Sequence, residues 1–323
     1  MTIRSIIASL LFLAAACSSA ALAAYPDKPL RLIVPWAPGG STDALARAIA
    51  QRMSQTMGQT VVVENRSGAS GRIGLEIAAK APPDGYTLAV VELPHAIAPA
   101  VFTQMPYDLV RDFAPVSLIG ESPLILFADS ARYKTGDIQR FLADARKGGD
   151  APLLIATSGN GSISHLSAKM LEAQASVKVD PVPYRGSAPA LSDVAAQLVG
   201  AHFATLASGS SLLGAGKVAA LMVTSTSRLT ALPAVPTAME ARLPGMQLSQ
   251  WWAIVVPAGT PPDIAARLNM EVNQALAYGP TRDRLSSQGV ELKGSSREQL
   301  AAFMRSEIAR WAKVVREAGI QPE

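Results

Sequence analysis

An apolar segment that runs through a proline- and glycine-rich turn into an amphipathic helix constrains the fold most. A buried strand is predicted at 30–34, the turn at 35–40, and the helix begins near Ser41 or Thr42. The first N–H groups of such a helix have no intrahelical partner, and the helix dipole adds partial positive charge there. The segment therefore predicts either a backbone site for a small anion or an ordinary strand-to-helix connection of an α/β protein.

The first 24 residues have the pattern of a secretory signal peptide. Arg4 supplies the basic start, 6–16 is apolar, and small residues follow, so we expect cleavage after Ala23 or Ala24 and export of the mature chain. The single cysteine, Cys17, lies inside this leader, without the bulky aliphatic residue that usually precedes a lipidated cysteine by three positions. No later segment approaches the roughly 20 apolar residues of a membrane-spanning helix, so no further anchor is expected.

Composition limits the kind of partner. About 300 residues would remain after cleavage, enough for two domains with real cores. The net charge of +4 comes from basic residues scattered singly, which disfavours a nucleic-acid surface. Aromatic residues make up 5% of the chain, too few for stacked-ring platforms that bind sugars, so a polar, anionic solute fits better.

Strand and helix patterns alternate in two halves. The predicted elements of the first half are a helix from Thr42 to Gly58, a strand at 61–64, a helix at 71–81 and a strand at 86–91. Those of the second half are a helix at 135–147, a strand at 153–156, a helix at 164–173, a strand at 177–182, a helix at 188–198 and a strand at 219–224.

Later segments lead back to the first half. A helix begins at 260–263, and Ser295 to Glu298 reads as a capping box before an apolar stripe that continues to Gly319. We therefore expect one doubly wound α/β domain from 25–124 and 236–323 and a second from 125–235. Two chain crossings between them make a hinge with a ligand cleft between the domains.

Two further strand-to-helix turns could open on that cleft, at 156–165 and 182–189. Both place hydroxyl residues and glycines at a helix start, and Asn160 and Tyr184 could direct hydrogen bonds to a carboxylate. Ser162, Ser164 and Ser187 are equally ordinary capping residues. The presence of three such turns, spread over both predicted domains, favours a cleft that grips a ligand from both sides.

Blocks in one order along the mature chain carry a family resemblance: Tyr25-Pro26-Asp27-Lys28-Pro29, Pro38-Gly39-Gly40-Ser41-Thr42-Asp43, Val61-Val62-Val63-Glu64-Asn65-Arg66, Pro83-Asp84-Gly85-Tyr86-Thr87-Leu88, Gly159-Asn160-Gly161-Ser162, 183–191, 232–237 and 257–261. The chain resembles the periplasmic solute-binding proteins of tripartite tricarboxylate transporters, also called the Bug family. The resemblance implies a two-domain type II periplasmic binding fold without catalysis or cofactor. It also implies a monomer that delivers a small organic acid to membrane permease subunits.

In such proteins the ligand carboxylate is held largely by main-chain groups and ordered waters. At matching positions the resemblance nominates Trp36, Pro38, Gly39, Gly40, Ser41 and Thr42, with Ser158, Asn160, Gly161 and Ser162 from the second turn and Tyr184, Arg185 and Gly186 from the third. Asp43 also matches, but its charge would repel an anionic ligand, so we expect it to organise the turn.

Two departures from the family pattern concern ligand identity. Glu92, Leu93, Pro94 and His95 stand where relatives tend to carry small or hydroxyl residues, and 200–208 lacks an aspartate that many relatives have. Charged residues at strand ends are usually solvated, so we expect Glu92 to point outward, paired with a surface base. The alternative is a Glu92 in the site, facing a neutral or cationic group of the ligand.

Other classes of function fit the sequence less well. Ser70 lacks the second glycine of a hydrolase elbow, and 214–217 departs from a phosphate loop and reads as a helix end and turn. His95, His165 and His202 do not have metal-ligand spacing and are expected at the surface or as caps, so no metal is predicted. A periplasmic sensor that docks on a signalling protein stays open as an alternative to transport.

Overall fold

A computed structural model describes residues 25–148, 151–317 and 322. The predicted signal peptide and the predicted helix end at Gly319 lie outside these residues. The strands are β1 Leu30–Val34, β2 Val61–Asn65, β3 Thr87–Glu92, β4 Phe113–Pro123, β5 Ile125–Asp129, β6 Leu153–Thr157, β7 Val179–Pro183, β8 Ala201–Ala204, β9 Val218–Val223, β10 Ser249–Pro257 and β11 Glu291–Leu292.

The helices are α1 Ser41–Met57, α2 Arg72–Ala79, α3 Leu93–Val101, α4 Ile138–Lys147, α5 Ile163–Ala175, α6 Ser187–Ala195, α7 Leu206–Gly214, α8 Pro262–Ala277, α9 Gly279–Ser287 and α10 Arg297–Glu317. Within the described ranges, none of these helices is both long enough and apolar enough to cross a bilayer.

The strands form two sheets. The first has the order β11-β4-β10-β3-β1-β2, with β2, β1 and β3 parallel and with β10 antiparallel to β3 and β4. The second has the order β7-β6-β8-β5-β9, with β7, β6 and β8 parallel. Parallel strands that alternate with helices bury both sheet faces, which is why β3 and β9 are apolar and buried along nearly their whole length.

The chain passes between the sheets at two adjacent points. β4 ends at Pro123 and β5 begins at Ile125, so Leu124 alone separates a strand of the first sheet from one of the second. Thr224, which follows β9, receives the N–H of Leu124 at 2.8 Å and donates its hydroxyl to Leu248 at 2.7 Å. These bonds tie both crossings together beside the start of β10; the predicted domain limits themselves stay a prediction.

The amphipathic helices pack as their periodicity predicts. In α1 the apolar face of Leu45, Ala48, Ile49, Met53 and Met57 is buried, and the helix ends at Gly58 in the left-handed conformation. In α10 the buried face includes Leu300, Met304, Trp311 and Val315.

The predicted capping box of α10 is displaced by one residue. Ser296 accepts the N–H of Gln299 at 3.2 Å, and the Gln299 side chain accepts the N–H of Ser296 at 2.8 Å. Ser295 is instead bound to β4, where its hydroxyl accepts the N–H of Leu118 at 3.0 Å. Two adjacent serines fit the same local pattern, and the tertiary contact of Ser295 selects between them.

Several elements were not expected from the sequence. They are α3, β8, α7, β10, α9 and β11, together with most of β4, for which the sequence predicts an extended segment only at 116–119. α3 contains Pro94 in its first turn and Pro99 in its interior, which hides its helical pattern. The predicted helix end at 214–217 agrees with α7, which ends at Gly214.

Candidate binding cleft

Five helices begin at the cleft between the two sheets. α1 and α3 follow β1 and β3 of the first sheet, and α5, α6 and α7 follow β6, β7 and β8 of the second. A cavity of about 50 Å³ lies among them, lined by Trp36, Ala37, Gly40, Ser41, Thr42, Glu92, Pro94, Leu124, Ser158, Ser162, Ile163, Ser187, Phe203, Ala204, Thr205, Ser208 and Gln250. Crevices at the carboxyl ends of strands are the usual ligand sites of open α/β sheets.

Three of the helix starts are uncapped. Gly40, Gly186 and Thr205 precede α1, α6 and α7, and within the described chain none of them accepts a side-chain capping hydrogen bond from its helix. The Ser41 N–H donates to the Ser208 hydroxyl at 3.1 Å, and the other first N–H groups remain for a ligand, with the positive end of each helix dipole behind them. A side chain built on Gly40 would meet no heavy atom within 4 Å, so the glycine leaves open space beside the α1 N-terminus.

Asp43 lies behind the first turn. It accepts the N–H of Gly39 at 3.1 Å, the Asn65 amide at 3.0 Å and the Arg47 guanidinium at 3.0 Å. Burial acts to raise the pKa of Asp43, but the bonds from Arg47, Gly39 and Asn65 outweigh it and hold the pKa below its ordinary value. The carboxylate thus links the turn to α1 and β2.

Glu92 lies inside the cleft, and the expected outward orientation is wrong. Glu92 is 3% exposed and lines the cavity. The carboxylate accepts the indole N–H of Trp36, the side-chain amide of Gln250 and the hydroxyl of Thr42, the last at 3.2 Å. These neutral donors replace the surface base that the sequence suggested, because β3 ends between β1 and β10 rather than at the surface.

The environment of Glu92 favours its neutral form. Burial raises the pKa of Glu92 from 4.5 to about 8, and the hydrogen bonds from Trp36, Thr42 and Gln250 offset part of that rise. Behind Glu92, the Nδ1 atom of His95 accepts the Glu92 N–H at 3.0 Å. The His95 ring is therefore neutral, and burial lowers its pKa to about 3.

Gln250 is a site residue that the sequence analysis missed. It is 4% exposed, and while its amide nitrogen donates to Glu92, its Oε1 atom is buried without a hydrogen-bond partner in the described residues. Thr205 and Ser208 at the start of α7 were missed as well. A polar residue at the start of the apolar β10 was the available signal for Gln250.

The second turn satisfies its own backbone. The N–H groups of Ser158 and Gly161 donate to Ser164 Oγ at 2.8 Å and to His165 Nδ1 at 3.1 Å, and Ser162 Oγ caps α5 through His165 at 3.2 Å. Ser158 and Ser162 reach the main cavity, whereas Gly161 does not line it. Ser162 and Ser164 therefore act as capping residues, which is one of the two roles, capping or ligand binding, that the sequence predicts for this turn.

Asn160, Tyr184 and Arg185 lie at a second cavity of about 330 Å³, which shares Trp36 and Ser158 with the first. The Tyr184 hydroxyl donates to Asp193 of α6 at 2.7 Å, so its proton is not free for a ligand. Pro38 and Gly39 do not line either cavity. Gly39 faces Ala188 of α6, and its positive φ of 91° allows the chain to turn there.

Two of the three histidines depart from the expectation of surface or cap positions. His95 and His202 are fully buried, and burial lowers the pKa of His202 to about 4. His202 Nδ1 donates to the carbonyl of Ala156 at 2.7 Å. His165 caps the second turn, as expected. No cluster of metal-ligating residues occurs in the part of the chain that the structure describes.

Two helix-covered sheets joined by adjacent crossings, with helix starts of both facing one cleft, have the architecture of the periplasmic binding fold. The model of the tripartite tricarboxylate transporter family receptor matches residues 45–320, and the chain belongs to this family. Protein BugT of Bordetella pertussis is 34% identical over 313 residues, which cover 96% of this chain and 95% of BugT. The predicted family is thereby confirmed.

Solved structures show the same fold. MatC from Rhodopseudomonas palustris with bound malate has a TM-score of 0.84 and 34% identity, covering 90% of this chain and 100% of MatC. A second R. palustris protein, with adipate, has a TM-score of 0.88 and 36% identity, covering 93% of this chain and 100% of that protein. The predicted two-domain periplasmic binding fold is confirmed.

Proposed function

We propose that this protein captures a small organic carboxylate in its cleft and delivers it to the permease of a tripartite tricarboxylate-type transporter. It acts in the periplasm as a monomer, and it binds without catalysing a reaction and without a cofactor. Family membership supports the receptor role. The malate and adipate named for two relatives support a carboxylate as the ligand.

Uncapped helix starts on opposite walls of the cleft carry this proposal. Gly40 precedes α1 on the first-sheet side, and Gly186 precedes α6 on the second-sheet side. Backbone N–H groups at helix N-termini bind carboxylates through hydrogen bonds and the helix dipole together. No lysine or arginine is among the described residues that line the main cavity, so the backbone is the main source of positive potential.

The ligand contacts follow from this arrangement. The carboxylate binds at the first turn, and the second and third turns enclose the rest of the acid. The proposed contacts in the main cavity are Trp36, Gly40, Ser41, Thr42, Ser158 and Ser162, and those in the second cavity are Asn160, Tyr184 and Arg185. Pro38, Gly39, Gly161 and Gly186, which line neither cavity, shape the turns that carry these contacts. Ser187, Thr205 and Ser208 are added because they line the main cavity.

A thermal-shift screen of the leaderless protein, followed by calorimetry, tests the proposal. The panel holds mono- and dicarboxylic acids, each beside its fully amidated counterpart, which has the same shape and no carboxylate. A ligand that binds the native state raises the melting temperature, so acids and not their amides should do so. Equal shifts from acid and amide, or shifts confined to uncharged solutes, would contradict a carboxylate receptor.

Permease delivery has its own test. Transport of the selected acid into membrane vesicles that carry the permease should require the liganded receptor. Uptake that proceeds equally well without the receptor would contradict the delivery role and leave the binding role standing.

A further inference from the structure

We propose that Glu92 and Gln250 select singly charged acids that carry a hydrogen-bond donor, such as an amide or ammonium group, and exclude dicarboxylates. This inference rests on the proposed function, since it describes the part of the ligand that lies beside Glu92 when the carboxylate is held at the start of α1. It follows from three features of one corner of the cleft: a carboxyl group without a cationic partner, an occupied donor set and an unpartnered acceptor.

The first feature is a carboxyl group without a cation. Glu92 lines the cavity, and among the described lining residues there is no lysine or arginine to pair with it. In its ionised form it would repel a second carboxylate of the ligand at short range in a low-dielectric site. A ligand ammonium or amide placed there would meet attraction instead.

The second feature is the use of the local donors. The Trp36 indole, the Gln250 amide and the Thr42 hydroxyl all donate to the Glu92 carboxylate. The Thr42 hydroxyl itself accepts the Trp252 indole N–H, at 3.0 Å. A second carboxylate needs donors of this kind, and the side chain of Glu92 already occupies them. The protein thus carries, on its own chain, the carboxyl group that a dicarboxylate would bring.

The third feature is Gln250 Oε1, an acceptor left without a partner on a residue that lines the cavity and is 4% exposed. A buried unsatisfied carbonyl is unfavourable, and a ligand N–H would satisfy it. The same N–H group could also bind Glu92, because three donors leave part of the acceptor capacity of a carboxylate free. Glu92 and Gln250 Oε1 together therefore form an acceptor pair.

Matched four- and six-carbon acids test the inference. The four-carbon set is succinate, succinamate, 4-aminobutyrate and butyrate, and the six-carbon set is adipate, adipamate, 6-aminohexanoate and hexanoate. Calorimetry on the native protein at pH 9, above the pKa of about 8 at which Glu92 ionises, should rank the amide and ammonium acids about tenfold or more above the dianion and the unsubstituted acid of the same length. Glu92→Gln should strengthen dianion binding and weaken ammonium binding, each by about tenfold.

Two further variants make the result specific. Gln250→Leu removes the free acceptor and should reduce the preference for the amide acid over the unsubstituted acid. Glu76→Gln neutralises a surface carboxylate that pairs with Lys80 at 2.6 Å, and it should leave every affinity unchanged. Circular dichroism establishes that each variant is folded.

The outcomes separate the inference from the proposed function. The inference is supported if donor-bearing acids bind the native protein most tightly and if Glu92→Gln strengthens dianion binding and weakens ammonium binding. Dianions that rank first, or a ranking unchanged in Glu92→Gln, would overturn it while leaving a carboxylate receptor intact. If none of the acids in either set binds the folded native protein and a solute without a carboxylate does, both the inference and the proposed function fail.

Discussion

The backbone N–H of Ser41 donates to the hydroxyl of Ser208 at 3.1 Å, so the start of α1 is joined directly to the start of α7 across the cleft. A second bond across the cleft runs from the Ser70 hydroxyl to the carbonyl of Asn160. Ser41 and Ser70 follow strands of the first sheet, whereas Ser208 and Asn160 follow strands of the second. Bonds of this kind form when the cleft is closed.

Ser208→Ala should favour the open form of the receptor. Loss of one hydrogen bond changes the closing equilibrium by about 1 kcal/mol, which corresponds to roughly fivefold weaker binding of the selected acid. Small-angle scattering should show a decrease in the radius of gyration when the native protein is saturated, with a larger ligand-free radius for the variant. Ser210→Ala, which removes an exposed hydroxyl on the same helix, is the control. An unchanged radius at saturation would argue against closure on the ligand.

Gly40→Val should abolish binding and retain the fold. The φ of Gly40 is −82°, which valine adopts without strain, and a side chain there would enter open space beside the α1 N-terminus. That space is where the ligand carboxylate would lie, so we expect about a hundredfold loss of affinity or more. Gly279→Val, at another open helix start away from the cleft, should bind normally. Native affinity in Gly40→Val would place the carboxylate elsewhere.

The first turn could be predicted from sequence because its determinants are local. Strand, prolines, glycines and helix follow one another within 14 residues, and the apolar face of α1 is visible in its periodicity. The same holds for the end of α1 at Gly58. Where two local patterns compete, as for Ser295 and Ser296, the choice depends on a contact with β4 that the local sequence does not contain.

Glu92 shows why the remainder of the cleft could not be predicted. Its partners are Trp36, 56 residues before it, and Gln250, 158 residues after it. These side chains meet because β3 lies between β1 and the antiparallel β10, and sheet order is a property of the whole fold. The expected outward orientation came from the rule that charged residues at strand ends are usually solvated. It fails because β10 pairs with β3 at Glu92 and buries that strand end.

Unfolding stability should decrease with pH through Glu92. The pKa of Glu92 is about 8 in the folded protein and 4.5 ordinarily, so the folded state binds the extra proton between these values. Unfolding then releases a proton, and the free energy of unfolding falls as pH rises from 4.5 to 8. His95, the nearest histidine, has a pKa of about 3 and stays neutral across this range.

Glu92→Gln should remove this pH dependence. The free energy of unfolding of the variant should equal that of the native protein near pH 4.5. Near pH 8 it should be higher by on the order of a few kcal/mol. Urea denaturation at a series of pH values measures the difference. Parallel stability curves for the two proteins would show that Glu92 ionises normally in the fold.

Asp43→Ala should destabilise the first turn and weaken binding. Removal of the carboxylate leaves the Gly39 N–H without its acceptor and the Asn65 amide with only the Trp36 carbonyl, at a cost of about 1–3 kcal/mol in unfolding free energy. Asp283→Ala, at a carboxylate that is 70% exposed, should change stability little. Thermal denaturation compares the two, and equal stability of both variants would exclude the organising role of Asp43.

A crystal structure of the protein with the acid selected by calorimetry tests the central claim most directly. The predicted result is a carboxylate within about 3 Å of the N–H groups at the start of α1, with the same ligand contacting α6 or α7 from the other side. An acid bound in the cavity behind the crossings, lined by Glu121, Ser225 and Glu307, would contradict the account. So would an acid in the cleft that contacts residues of one sheet's helices and none of the other's.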